Sequence, residues 1–286
     1  MIKKISLIIP EHWHMDGGVA FGVVPKGIWS KMYPADENNN LYIVNRLFLI
    51  ETEQKLILVN AGYGNKRSEK YYQFKYIKEQ TPISKCIENA GYRVDNVTDV
   101  VFTHLHDDHC GGATYYNSEK EKSLPLFDKA RFWISKKQWH WALNPNPREA
   151  ASYFPDNLLP LEESERLHLL TPDEQPFENE DIMLRHYDGH TSGQMIPFMK
   201  YQGKTIVYAS DFIPSSVHIP LPYIASVDIN PLASLAEKEE FLTEAAANKY
   251  ILVFEHDAIA EACTVKHTEK GFIADEIKLL SQFLEG

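Results

Sequence analysis

The sequence has few cysteines and no long apolar run. Its three cysteines, Cys86, Cys110 and Cys263, are odd in number and far apart, which argues against a disulfide framework and indicates a reducing compartment. No stretch approaches the roughly 18 apolar residues of a transmembrane helix. The apolar part of Met1–Pro10 is also too short for a signal peptide. We therefore expect a cytoplasmic protein with no membrane partner.

Positive charge is scarce as well. The chain of 286 residues has 29 Lys and Arg against 40 Asp and Glu, which gives a net charge of −11. Nucleic acids and anionic membranes bind clusters of basic residues, so we expect neither as a partner. The basic and aromatic run Lys66–Tyr76 is short, and a solvated helix with one aromatic face explains it better than a nucleic-acid surface.

The remaining composition is that of an ordinary globular protein. Hydrophobic residues make up 44% of the chain and charged residues 24%, and no repeat or low-complexity tract stands out. A chain of this length buries enough surface to form a core without disulfides. Because no linker divides it, we expect a single domain over residues 1–286. The sequence does not choose between a monomer and a homodimer.

Strand-like runs rich in Val, Ile, Leu, Phe and Tyr alternate with helix-like segments. The predicted strands are Lys4–Ile9, Leu41–Thr52, Lys55–Asn60, Val97–Thr103, Ala130–Ser135, Ile182–Tyr187, Thr205–Ser210 and Tyr250–Glu255. The predicted helices are Ile83–Ala90, Pro231–Lys249 and the amphipathic run Phe272–Leu284. Strands interleaved with helices predict an α/β (α+β) architecture.

The segment that follows the apolar run ending at Phe102 carries the strongest chemical signal. Three histidines and two aspartates fall within six residues there, namely His104, His106, Asp107, Asp108 and His109. Residues at i and i+2 of an extended chain face the same side, so His104 and His106 can point at one metal ion. Imidazole nitrogen and carboxylate oxygen suit zinc and other first-row metals.

Three polar residues farther along the chain lie in or just after the ends of strand-like runs. They are His190, Asp211 and His256. The sheet holds strand ends rigid, which is where α/β proteins place functional groups. Each of these residues alone is more typical of a turn or a cap. With the first segment they make five histidines and two aspartates, which is enough for two metal ions.

The order and spacing of these residues resemble the metallo-β-lactamase-fold hydrolase superfamily, which carries an H-x-H-x-D-H segment and then a distant His, Asp and His. The matching residues are His104, His106, Asp108, His109, His190, Asp211 and His256. The resemblance implies an αββα sandwich of two mixed β-sheets flanked by helices, with the site at one edge of the sheets. It assigns one zinc ion to His104, His106 and His190. It assigns a second zinc ion to Asp108, His109 and His256, with Asp211 as the bridge.

The chemistry implied by the resemblance is hydrolysis by a hydroxide that bridges two metal ions. Asp108 is then a metal ligand and also the catalytic residue that carries a proton to the leaving group. His106, where di-iron relatives have Glu, favours zinc, while manganese and iron are alternatives. Asp211, where some β-lactamases have Cys, is more similar to the glyoxalase, lactonase and phosphoesterase branches.

Two positions depart from the pattern of these relatives. Many relatives have Asp where this chain has Asn60, which keeps a hydrogen bond but loses a charge beside the ligands. Lactonases of this fold often have Tyr three residues after the bridging Asp, where this chain has Pro214. Tyr208 and Tyr223 are candidates to supply the missing phenol.

The predicted function is hydrolysis of a small, largely neutral ester or lactone, with a phosphotriester as a related substrate. Residues that can form the substrate pocket favour this class, and they are Phe21, Trp29, Ile213, Val217, His218, Ile219 and Tyr223. One alternative is a thioesterase similar to glyoxalase II, which needs basic residues near the C-terminus, where the chain offers Lys266, Lys270 and Lys278. The other alternative is a sensor that binds metal without turnover.

Overall fold

The computed structural model describes residues 1–77, 79–119 and 121–285. Its strands are β1 (Ile2–Asp16), β2 (Asn40–Thr52), β3 (Leu56–Val59), β4 (Glu79–Gln80), β5 (Asp99–Val101), β6 (Thr114–Tyr116), β7 (Ser123–Pro125), β8 (Arg131–Ser135), β9 (Leu167–Leu170), β10 (Ile182–Tyr187), β11 (Gln194–Tyr201), β12 (Lys204–Tyr208), β13 (Ile251–Val253), β14 (Ala262–Thr268) and β15 (Gly271–Lys278). Its helices are α1 (Gly17–Phe21), α2 (Lys26–Trp29), α3 (Glu69–Phe74), α4 (Ile83–Asn89), α5 (Asp107–Cys110), α6 (Lys136–Leu143), α7 (Pro155–Glu163), α8 (Pro231–Asn248) and α9 (Leu280–Leu284).

Two mixed sheets form the centre of the part of the chain that the structure describes. The first has the strand order β4-β1-β2-β3-β5-β8-β9 and is parallel from β3 through β9. The second has the order β10-β11-β12-β13-β14-β15, and its β12 and β13 run parallel. Strands β6 and β7 pair separately as a hairpin.

The sheets pack face to face over an apolar core, and helices cover their outer faces. Phe48 of β2 meets Tyr208 of β12 with ring centroids 4.9 Å apart, and both side chains are buried in that core. Helix α8 covers the second sheet through residues such as Phe241. It begins after Asn230, whose side chain accepts a hydrogen bond from Ala233 N. The predicted αββα sandwich is therefore confirmed.

The prediction of a helix over Phe272–Leu284 is wrong for most of its length. Residues 271–278 form β15, which pairs with β14 from Thr268 opposite Gly271 to Ala262 opposite Lys278. Gly271 has φ +105°, which permits the tight hairpin turn. Phe272 is buried while Ile273 is 41% exposed, as expected for neighbouring side chains on opposite faces of a strand. Strand β11 was absent from the prediction.

None of the helices in the described residues is long and apolar enough to cross a membrane.

Candidate metal centre

The first sheet supplies the predicted ligands that follow β5. His104 and His106 lie in the loop after that strand, and Asp108 and His109 lie in α5 directly beyond them. Gly112 at the end of this segment packs against the loop after β3, where a Cβ would lie 2.1 Å from Ala61 O. Glycine therefore lets the histidine-rich segment lie against the neighbouring strand end.

The second sheet supplies the other three predicted ligands. His190 lies in the turn between β10 and β11, Asp211 in a 3₁₀ turn after β12, and His256 just after β13. Because β12 and β13 run parallel, their ends bring Asp211 and His256 to one edge. A Cβ on Gly189 would lie 2.5 Å from Ser234 Cα, so glycine is needed for the His190 turn to approach α8.

His104, His106, His190 and Asp211 form a first cluster of ligand atoms within 4.8 Å of one another. Nδ1 of His106 lies 3.0 Å from Nε2 of His104 and 3.3 Å from Nε2 of His190. Oδ2 of Asp211 lies 3.7 Å from His104 Nε2 and 3.2 Å from His190 Nε2. Three imidazole nitrogens and one carboxylate oxygen thus converge, which is a donor set that suits zinc and related ions.

A second cluster lies on the other side of Asp211. Oδ1 of Asp211 is 2.8 Å from Nε2 of His256, and Oδ2 is 3.4 Å from Nε2 of His109. Oδ2 of Asp108 lies 3.4 Å from His109 Nε2 and 3.8 Å from His256 Nε2. The Asp211 carboxylate therefore faces both clusters.

Glu255 also lies within 4.8 Å of the second cluster, but it approaches the opposite face of the ligand. Its Oε1 is 3.2 Å from Nδ1 of His109, whereas Asp108 and Asp211 face Nε2 of that ring. A ring nitrogen that donates a hydrogen bond leaves the other nitrogen free to bind a metal. The geometry favours Asp108 as the ligand and Glu255 as the hydrogen-bond acceptor.

Each of the five histidines has a partner for the ring nitrogen that points away from the clusters. Carboxylates face three of them, namely Glu149 at 3.2 Å from His106 Nε2, Asp228 at 2.9 Å from His190 Nδ1, and Glu255 on His109. The Thr103 hydroxyl lies 3.1 Å from His104 Nδ1, and the Val44 carbonyl lies 2.9 Å from His256 Nδ1. These contacts fix the tautomers and direct a lone pair of each ring inward.

The carboxylates make the metal-free site retain protons. Burial alone disfavours a charged His190, but Asp211 and Asp228 outweigh it and raise its pKa to about 10. Burial likewise opposes the charge of His256, and Asp211 raises its pKa to about 9. The pKa of His109 is also well above its ordinary value, because nearby carboxylates overcome burial. The site therefore needs positive charge, which protons or cations can supply.

Polar atoms at the centre of the site indicate whether protons or a metal cation supply this positive charge. Among the described residues, His109 Nε2, His256 Nε2 and Asp211 Oδ1 are buried without a hydrogen bond of normal geometry, although Asp211 Oδ1 lies 2.8 Å from His256 Nε2. Such atoms are costly to bury unless something binds them. Their convergence on one point, with the donor types above, fits a divalent metal ion.

Two cavities meet at this cluster. The first is a small apolar cavity of about 40 Å³, bordered by His190, Asp211 and His256 and otherwise mainly by apolar side chains. The second is an open cleft of about 560 Å³, bordered by His106, Asp108, His190 and Asp211. His190 and Asp211 border both cavities.

The predicted substrate contacts fall into two groups. Phe21 and His218 border the apolar cavity, and their rings stack with centroids 4.8 Å apart. Trp29 and Tyr223 border neither cavity. Trp29 is stacked behind Phe21 at 5.0 Å, and Tyr223 contacts the Phe21 ring edge-on at 6.4 Å, so both pack against a residue of the cavity wall.

The other residues suggested for the pocket lie elsewhere. Ile213 and Ile219 are fully buried in the core beneath α8, and Val217 packs against the cluster around Phe21. Neither proposed phenol borders the two cavities, and the Tyr208 hydroxyl donates to Arg46 O at 2.8 Å. Pro214 itself borders the apolar cavity.

Three acidic residues behind the ligands were missed by the sequence reasoning: Glu149, Asp228 and Glu255. Glu255 directly precedes His256 and ends a strand-like run, so its position was a usable signal. Glu149 and Asp228 lie in loops that no motif marks, and only the folded chain brings them to His106 and His190.

Comparisons with known proteins agree with this geometry. The model of the metallo-beta-lactamase superfamily matches residues 46–256. A comparison with curated proteins finds no match. A probable metal-dependent hydrolase from Staphylococcus aureus is 29% identical, with a TM-score of 0.84 over 98% of this chain and 100% of that chain.

Two other solved structures share the fold at lower identity. The dizinc quorum-quenching lactonase AidC, in complex with a product, is 19% identical with a TM-score of 0.79 over 98% of each chain. The hydrolase AbOPH is 18% identical with a TM-score of 0.78 over 96% of this chain and 94% of that chain. Since the family model spans well over half of the sequence, this chain belongs to the metallo-β-lactamase superfamily.

Proposed function

We propose that the protein is a dinuclear zinc-dependent hydrolase of a small, largely neutral ester or lactone. The observation that carries the proposal is the position of Asp211, whose carboxylate lies between two clusters of inward-facing histidine nitrogens. A single carboxylate shared in this way serves two ions more naturally than one. When bound, two such ions polarise the scissile group and lower the pKa of a water.

The ligands divide between the two ions as the clusters do. His104, His106 and His190 would hold one ion. Asp108, His109 and His256 would hold the other, and the Asp211 carboxylate would serve both. Five carboxylates surround these histidines, namely Asp108, Glu149, Asp211, Asp228 and Glu255, so two divalent cations nearly balance the local charge.

Asp108 has a second role because it borders the open cleft. Its side chain is 14% exposed, so one carboxylate oxygen is accessible to a bound substrate. Although burial opposes ionisation, His109 and His256 hold the pKa of Asp108 below its ordinary value. The carboxylate is therefore ionised at neutral pH and can take a proton and pass it to the leaving group.

The apolar cavity supports the substrate class. Phe21, Leu41 and Ile43 border this cavity but not the cleft, whereas Met15 borders both. A short acyl or alkyl group bound there leaves water for an apolar wall, whereas a charged group would lose its hydration. The three lysines that a thioesterase would use, Lys266, Lys270 and Lys278, border neither cavity at the site.

A hydrolysis panel on zinc-loaded protein tests the proposal. The panel compares kcat/KM for a neutral aryl ester, an aliphatic lactone, a phosphotriester and a glutathione thioester in one buffer, with metal content measured in parallel. We expect two zinc ions per chain and the highest values for the ester or lactone. An N-acyl-homoserine lactone should react slowly, because Pro214 stands where lactonases of this fold often have Tyr. Loss of one hydrogen-bond donor to the oxyanion typically costs about 2.7–4 kcal/mol of transition-state stabilisation.

The panel also separates the alternatives. Preference for the thioester would replace the proposed substrate class with that of a glyoxalase II-like thioesterase. Two tightly bound ions without turnover of any substrate would favour a metal-binding sensor. One ion or none would refute the dinuclear centre itself.

A further inference from the structure

Asn60 and Glu255 form a fully buried pair behind His109. Nδ2 of Asn60 lies 3.1 Å from Oε1 and 3.0 Å from Oε2 of Glu255. The same Nδ2 lies 3.0 Å from Nδ1 of His109. Both side chains therefore reach the ring nitrogen that points away from the proposed metal ion.

The other contacts of the pair fix its orientation. Oδ1 of Asn60 accepts a hydrogen bond from Thr103 N at 2.9 Å, which identifies the other amide atom as the nitrogen that faces Glu255. Ser210 Oγ donates to Glu255 Oε2 at 2.8 Å. Asn60 has φ +61°, a left-handed conformation that Asn and Asp adopt more readily than other non-glycine residues. An Asn-to-Asp change thus requires no change of backbone.

The number of hydrogens on His109 and Asn60 determines which groups donate to Glu255. Nε2 of His109 faces Asp108 and Asp211, so in a metal-bound ring the hydrogen is on Nδ1. The Asn60 amide nitrogen is a donor and cannot accept this hydrogen. The hydrogen therefore points to Glu255 Oε1, which lies 3.2 Å from His109 Nδ1. Asn60 can donate to the same carboxylate. A carboxylate at position 60 would instead lie about 3 Å from both oxygens of Glu255 and repel it.

We propose that Glu255 is a positioning residue that supplies the single negative charge behind His109, and that residue 60 is neutral because Glu255 is charged. This inference rests on the proposed two-ion centre. It gives a physical reason for a neutral Asn60: the charge behind His109 comes from Glu255 at the strand end of the second sheet. It also predicts that the charge can be moved from one member of the pair to the other.

A charge-relocation cycle tests the proposal with Glu255→Gln, Asn60→Asp and the double variant. The two zinc dissociation constants of each protein are measured by competition with a chromogenic chelator. Glu255→Gln should weaken one of the two ions about 10–100-fold, the usual range for a partner of a ligating histidine, and leave the other within about threefold. The double variant should bind the affected ion within about fivefold of the parent, because its new carboxylate lies where Asn60 Nδ2 is now, 3.0 Å from His109 Nδ1.

Glu149→Gln is the matched control, because Glu149 faces His106 in the other cluster. It should weaken the other ion, and adding Asn60→Asp to it should bring no recovery. The thermal melting of the metal-free proteins gives a readout that needs no metal. Asn60→Asp alone should melt lowest, since it places two buried carboxylates in contact, and the double variant should melt above it.

Three results would overturn the inference. A parent with two ions whose affinities do not change in Glu255→Gln would show that this charge does not act on the ligand. A double variant that neither regains the affected ion nor melts above Asn60→Asp would show that the charge cannot be relocated. A parent that binds fewer than two ions would refute the two-ion centre on which the inference depends.

Discussion

Metal binding should displace about three protons from histidine rings of the metal-free protein at pH 7.5, besides the proton of a metal-bound water. Carboxylates raise the pKa of His190 to about 10 and that of His256 to about 9, and they place that of His109 well above its ordinary value. We therefore expect all three rings to be charged in the metal-free protein near neutral pH and to lose a proton when a cation binds. Because each displaced proton changes the binding free energy by about 1.4 kcal/mol per pH unit, the summed affinity for two ions should rise by about 4 kcal/mol per unit near neutrality.

Calorimetric titration of metal-free protein with zinc measures this proton count. The observed enthalpy is plotted against the ionisation enthalpy of several weakly coordinating buffers, and the slope gives the number of protons released. The slope should fall as the pH rises through 9 and 10, where the rings lose their protons unaided. A release of less than one proton at pH 7.5 would show that the rings are already neutral and would refute the electrostatic reasoning.

The same pKa shifts fix the sign of the pH dependence of stability. His190 and His256 have folded-state pKa values above the ordinary value of 6.5, so the folded metal-free protein binds more protons than the unfolded chain between those values. The stabilisation is complete below about pH 6.5 and is lost as the pH rises through about 9 to 10. Thermal melts should therefore show the Tm of the metal-free protein falling over this range. A Tm that rises instead would contradict the assignment.

Three further predictions concern single residues. Asp211→Ala should lower the metal content below two ions and kcat/KM by more than about 100-fold, since it removes a side chain shared by both clusters. Elemental analysis and kinetics measure these effects, with Asp95→Ala at an exposed position as the control. A variant with two ions and normal turnover would contradict the prediction. Asp228→Asn should weaken one ion about 10–100-fold through His190, and a chelator titration without any shift would exclude that role. Phe21→Ala should lower the free energy of unfolding by about 3–5 kcal/mol and favour bulkier acyl groups, so a denaturant melt and an acyl-length series that match the parent would refute its place in the wall.

The family and the fold could be predicted because their signals are local in the sequence. The H-x-H-x-D-H segment and the polar residues in and after the later strands mark positions that the sheet geometry brings together. Strand ends of a parallel pair share an edge, so Asp211 and His256 were predictable from β12 and β13. The superfamily assignment and the αββα sandwich are both confirmed.

The parts that the sequence did not reveal depend on contacts between distant segments. Asp228 reaches His190 only because its loop folds back before α8, and Glu149 reaches His106 from a loop after α6. Trp29 fills space beside α1, where a Cβ on Gly17 would lie 2.3 Å from its ring. The pattern of apolar residues in the sequence does not distinguish a side chain that borders a cavity from one that packs behind the cavity wall.

The wall of the small cavity gives a stronger reason for a neutral substrate than the overall charge does. Burial lowers the pKa of His218 to about 4, so this ring is neutral at physiological pH. Its Nε2 donates to Ala20 O at 2.8 Å, and its Nδ1 accepts from the Ser215 hydroxyl at 2.7 Å, so both ring nitrogens are already used. A charged group in this cavity would lose its hydration and find no partner on this wall, at a cost of several kcal/mol. The net charge of −11 acts through solvent, where salt screens it beyond about 8 Å. If the proposed function is correct, desolvation in the cavity, and not long-range repulsion, would therefore select an uncharged acyl group.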